Sequence, residues 1–209
     1  MTAHRNTAEA PSTAGGWGSQ QDEDEDDLKS GYVVHQCNRT AVRALQLALS
    51  APWSVAELRE GKQRLAQVAA KHQLRVLEPP LAALHANPAV DPKDAWTWHL
   101  LQPVCGKVVV AELDDGITVG RTLPGTYLQT STTDGLAGLD RLYDYLFSDY
   151  LPRYKHRLTR PCIYHRVTEG AQKDNPDGLL FMVFLPVMLS LVRGELGPSI
   201  SPNGDQKSP

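Results

Sequence analysis

Leu179-Leu180-Phe181-Met182-Val183-Phe184-Leu185-Pro186-Val187 closes the second of two similar segments. Its ending, Pro186-Val187, answers Pro103-Val104, 83 residues earlier. Working back from these ends, Pro161 lies 82 residues after Pro79, and two helical patterns superpose at about the same offset. Self-similarity at a fixed spacing decides topology before any single element does. The first copy opens on the β-branched run Tyr32-Val33-Val34 and continues through Ala41–Leu47. A helix then begins at Ser54, which forms a capping box with Glu57; Leu58, Leu65, Val68 and Ala69 give it one apolar stripe. It fades near Lys71-His72, and extended pieces follow at Leu81–His85 and Trp96–Leu101. The second copy opens on Ile117-Thr118-Val119 and runs through Leu123-Pro124-Gly125-Thr126-Tyr127-Leu128-Gln129. Its helix starts at Thr133 or Asp134, both good caps, and carries Leu136, Leu139, Leu142, Tyr143 and Leu146. Pro152 stops it, because proline has no amide to continue the ladder. Extended pieces follow again at Pro161–Val167 and Leu179–Leu185.

These copies predict an α+β fold: a duplicated strand–helix–strand–strand repeat forming one curved antiparallel sheet with two helices. The repeats span about 31–105 and 106–194. Each half alone leaves an apolar sheet face open, so the halves must pack on each other.

The flanks differ in kind. Residues 1–30 combine an Ala/Ser/Thr/Gly-rich stretch with six consecutive acids, Asp22–Asp27, and read as a disordered acidic tail. Residues 195–209 are polar, are broken by Pro198 and Pro202, and read as a second tail. Hydrophobic residues make up 41 % of the chain and charged residues 22 %, a globular balance. The net charge of −3 lends no support to phosphate-backbone binding, and no helix-turn-helix pattern precedes the domain, so no direct nucleic-acid contact is expected. Cys37, Cys105 and Cys162 form no CxxC pair and read as reduced, buried thiols of a cytoplasmic protein. The N-terminus has no secretory pattern, and the longest apolar stretch is too short to span a bilayer, so no membrane partner is expected.

The order Leu123-Pro124-Gly125-Thr126-Tyr127, amphipathic helix, Pro161-Cys162-Ile163-Tyr164, and a strand ending Leu185-Pro186-Val187 resembles the GyrI-like small-molecule-binding domain. The same domain forms the effector-binding half of many AraC- and MerR-type regulators. The resemblance covers about Tyr32 to Val187. It implies a groove at the junction of the repeats, lined by aromatic residues, that holds planar apolar or cationic ligands, with multidrug binding as the expected behaviour. Many members carry a glutamate four residues before the closing proline. Met182 stands there in this sequence, and His99 stands at the matching place in the first repeat. A thioether neither attracts a cation nor acts as a base.

Seven residues are the candidate ligand-binding set: Trp96, Trp98, His99, Tyr127, Tyr164, Met182 and Phe184. Strand alternation puts Trp96 and Trp98 on one face and His99 on the other. Indole faces attract planar and cationic ligands, and methionine beside aromatics makes an adaptable wall. Ordinary sheet core uses the same residue types, which is the competing reading for each. Tyr127, Met182 and Trp98 are expected to share one cavity, with Met182→Glu lowering stability and strengthening cation binding. Glu78 and Glu112 read as surface charges. There is no GxSxG, Walker or GxGxxG motif and no metal spacing among the histidines, so no catalytic residue, cofactor or metal is assigned. A stand-alone binding domain is the favoured function. The alternatives are a hydrolase of cyclopropane-bearing or other genotoxins, the activity of some family members, and a gyrase-inhibitor-like module whose acidic run meets a protein partner.

Overall fold

The computed structural model describes residues 31–190 apart from 111–112, 115 and 171–176. The two tails and Glu112 lie outside the described residues. The first half runs β1 (His35–Arg39), β2 (Arg43–Leu49), α1 (Val55–Lys71), β3 (Arg75–Val76), β4 (Leu81–His85) and β5 (Thr97–Cys105). The second runs β6 (Ile117–Arg121), β7 (Gly125–Thr132), α2 (Gly135–Tyr145), β8 (His156–Leu158), β9 (Ile163–Glu169) and β10 (Leu179–Leu189). One antiparallel sheet contains them in the order β1-β7-β10-β9-β4-β5-β2-β6, with β3 beside β5 and β8 beside β10. Among the described residues, the chain adopts the expected α+β architecture, with two helices on one antiparallel sheet.

The duplication holds at the level of single hydrogen-bonded pairs. Adding 83 to each residue number carries Ala44↔Pro103 onto Tyr127↔Pro186 and Leu81↔Leu101 onto Tyr164↔Phe184. The central pair Ala82↔His165, joining β4 to β9, maps onto itself. The repeat unit is larger than the four elements read from the sequence. Each half begins with a further strand, and that strand pairs with the other half: β1 lies on β7, and β6 lies on β2. Tyr32–Val34 is not a strand; the first one starts at His35. Its sequence, HQCNR, lacks an apolar alternation because it is an edge strand.

Local chemistry explains most element ends. Ser54 Oγ accepts from the Glu57 amide at 3.1 Å, as the capping box requires. The Glu57 carboxylate also accepts from the Ser50 amide at 2.6 Å and from the Ser50 hydroxyl. Both caps together pin the turn that leads into α1. Pro152 does not stop the second helix. The helix passes through a π-helical turn at Leu146–Tyr150 and ends at Arg153, with Pro152 in the first residues of that final turn, where an amide is not needed. Gly61 on α1 faces Leu47 and Leu100, and a Cβ there would come within 3.1 Å of Leu100, so glycine lets the helix lie close on the sheet. The three cysteines are free, but Cys105 is exposed rather than buried. No described helix is long and apolar enough to cross a membrane.

Candidate functional site

Strand alternation gives the sheet two unlike faces. One carries Leu47, Leu84, Trp98, Leu100, His165, Phe181 and Val183, and the helices cover it. The other carries Ala44, Leu81, Ala83, Leu101, Tyr127, Tyr164 and Phe184, which form a separate buried cluster with Met182 packed against it.

The helix-bearing face holds a cavity of about 500 Å³ between the two halves. From the first half come Ala51, Pro52, Trp53, Lys93, Asp94, Trp96 and Trp98; from α2 come Leu136, Leu139 and Asp140. Trp53 sits in the turn fixed by Ser50, Ser54 and Glu57. Its ring meets Trp98 edge-on at 5.8 Å. Trp96 follows the short helical turn Lys93–Ala95, and its indole N–H donates to the Asp91 carbonyl at 3.0 Å, which fixes the ring. Trp53 and Trp98 are buried, whereas Trp96 is only partly so.

Behind this wall lies a buried polar pair, Tyr143 and His165. His165 Nδ1 faces the Ala82 carbonyl at 3.1 Å and Tyr143 Oη lies 2.5 Å from Nε2. A carbonyl can only accept, so the proton sits on Nδ1 and the tyrosine hydroxyl donates to Nε2. Burial pushes the histidine down to about 4 and the Tyr143 hydroxyl well up, which suits this neutral pair. The histidine therefore links acidity to stability. The unfolded chain takes up a proton near the ordinary histidine value, and the folded chain does so only near 4. Stability is expected to be intact above about pH 6.5 and to fall by roughly 3 kcal/mol as pH drops toward 4. Urea melts across that range would show it, and His165→Met should flatten this part of the slope.

The structure separates the seven candidate residues. Trp96 and Trp98 line the cavity. Tyr127, Tyr164, Met182, Phe184 and His99 belong to the opposite face. The shared cavity expected for Tyr127, Met182 and Trp98 does not exist, because the register puts Phe181, not Met182, on the face of Trp98. Tyr127 and Tyr164 have their hydroxyls occupied at the Leu123 backbone, the former donating to its carbonyl at 2.9 Å and the latter accepting from its amide at 2.8 Å. His99 stacks edge-on against His85 at 4.9 Å, and burial lowers both rings below the usual histidine value. Met182 borders a smaller hollow of about 220 Å³ with Arg166 and Thr168. Glu78 is no free surface charge: its carboxylate is held by Arg39 at 2.5 Å and Arg166 at 3.1 Å, and both guanidinium groups lie over the Phe184 ring.

Trp53, Lys93, Asp140, Tyr143 and His165 were not singled out as site residues by the sequence. Trp53 had a signal: it is an apolar residue directly before the cap Ser54, the place of a hydrophobic staple. Among the described residues, no group of three or more His, Cys, Asp or Glu side chains is placed to hold a metal ion.

No protein-family model and no curated protein matches the sequence. Solved structures do match. The C-terminal domain of EcmrR aligns with a TM-score of 0.58 at 13 % identity, over 76 % of this chain and 98 % of that one. The chain has the GyrI-like fold. A hydrolase from Listeria innocua aligns with a TM-score of 0.51 at 13 % identity, over 78 % of this chain and 98 % of that one. EcmrR in its complex with DNA aligns at 0.58 and 12 % identity, over 81 % of this chain and 68 % of that one. At such identities the likeness is one of fold.

Proposed function

We propose that this chain forms a binding domain that takes a planar, apolar or cationic small molecule into the Trp53–Trp96–Trp98 cavity. One observation carries the reading: a hollow of about 500 Å³, walled by three indoles and lined by residues of both halves. That volume suits a small organic ligand. Indole faces reward flat rings by stacking and cations by their quadrupole. Walls of this kind select by area more than by directed hydrogen bonds, which supports the acceptance of several ligands. Binding is favoured over turnover, because most of the acid–base candidates nearby are engaged. Asp140 pairs with Lys93, while Tyr143 and His165 are spent on each other and neither lines the cavity.

Trp96→Ala tests this. The partly exposed ring is expected to contribute little to folding and much to stacking. Planar-ligand affinity, followed by tryptophan fluorescence, should fall about tenfold or more, with the melting temperature nearly unchanged. Met182→Glu, on the other face, should leave cavity binding as it is. Equal affinity in Trp96→Ala and wild type would refute the assignment.

A further inference from the structure

Lys93 stands at the first residue of the short turn that presents Trp96. Its ammonium reaches from the first half to Asp140 on α2 in the second, with Nζ–Oδ2 at 2.7 Å. The same ammonium lies 5.9 Å from the centre of the Trp96 ring. Lys93, Trp96 and Asp140 all line the cavity. A protein cation thus sits between an aromatic face and a carboxylate, the two groups an organic cation would seek on entering.

The ion pair is open to water: the side chains of Lys93 and Asp140 are 68 % and 51 % exposed. Pairs this exposed hold weakly, and a long flexible lysine swings away at small cost. Asp94 adds a second carboxylate at the rim. With Lys93 in place, the charged lining sums to one negative charge; without it, to two.

Resting on the cavity reading above, we infer that Lys93 is an internal stand-in for a ligand cation, and that an organic cation binds by displacing its ammonium from Trp96 and Asp140. A neutral planar ligand has no need of Asp140 and leaves the pair intact. Lys93 then sets the balance between cationic and neutral ligands, and holds back the affinity for cations. The exchange of one cation for another also makes cation binding in the native protein insensitive to salt, because the charge on the lining is the same before and after. Removing the lysine charge leaves a bare carboxylate, whose attraction for a ligand salt does screen.

A matched pair of probes separates these effects: N-methylacridinium, a permanent planar cation, and acridine at mildly alkaline pH, where it is neutral. Each is titrated into the full chain, into Lys93→Gln and into Lys93→Arg, with tryptophan quenching as readout. Expected in Lys93→Gln is binding of N-methylacridinium tightened by about three- to fivefold, with acridine little changed. Added salt should weaken N-methylacridinium binding to Lys93→Gln much more than to wild type. Lys93→Arg should behave as wild type. If the two probes bind wild type and Lys93→Gln alike, or both tighten equally, Lys93 is not a stand-in and the inference falls while the cavity stands. If neither probe binds any of the three proteins, the cavity reading itself fails and takes the inference with it.

Discussion

Expressed by itself, the segment 31–105 is expected to yield no folded product. Among the described residues, the one strand paired with its first strand, β1, is β7 of the other half. Its β2 is flanked by β6, and its β4 by β9. Cutting the chain leaves β1 without a partner and lays open the edges of β2 and β4, each a row of unpaired amides and carbonyls. It also uncovers the buried clusters on both faces, including Leu81, Ala83 and Leu101, which pack with Tyr127, Tyr164 and Phe184 of the second half. What remains does not bury enough apolar surface to offset the ordering of the backbone. Collapsed amide resonances or aggregation are expected. Co-expression with 106–194 should restore a soluble pair, because the exchanged strands then find their places. A monomeric first half with well-dispersed amide resonances would overturn the strand-exchanged repeat.

Trp98→Ala is expected to cost about 3–5 kcal/mol, the range for removing a buried large aromatic. Trp98 is 6 % exposed, and its ring meets both Trp53 at 5.8 Å and His165 at 5.1 Å. It is at once core and cavity wall, so folding and ligand binding fall together. Trp96→Ala, by contrast, should separate them. Denaturant melts of the two variants side by side give the comparison. Equal stability of Trp98→Ala and wild type would mean that the ring is not buried as described.

The repeat was legible in the sequence because its landmarks are rigid. Pro103-Val104 and Pro186-Val187 lie at matching places near the ends of equivalent strands, and the apolar stripes of α1 and α2 were readable from their spacing. Of the exchanged strands, β6 was readable as Ile117-Thr118-Val119, but β1 was not, because its polar residues show no apolar alternation. Which half they join depends on long-range pairing that no local pattern encodes.

The site was legible in part. Trp96 and Trp98 were marked as a wall, and the parity that separates Trp98 from His99 was readable from strand alternation. The family resemblance points to Met182, but it carries no strand register to say which face that residue occupies. A shift of one residue sends a side chain through the sheet, and the register places Phe181, not Met182, on the face of Trp98. Glu78 misled in the same way. It lies in a loop before β4, where an acid reads as surface charge, and only the fold brings Arg39 and Arg166 to it.

Two faces of one sheet, each with aromatic residues, compete for the ligand. The helix-bearing face offers a hollow of about 500 Å³ with tryptophans at its wall; the other is filled by Tyr127, Tyr164 and Phe184, which are packed and hydrogen-bonded. A crystal structure of the full chain soaked with N-methylacridinium decides between them. The expected result is a flat ring against Trp96, between Trp53 and Leu139, with the Lys93 ammonium moved away from Asp140. A ring bound beside Tyr127 or Met182, with the tryptophan cavity empty, would contradict the assignment.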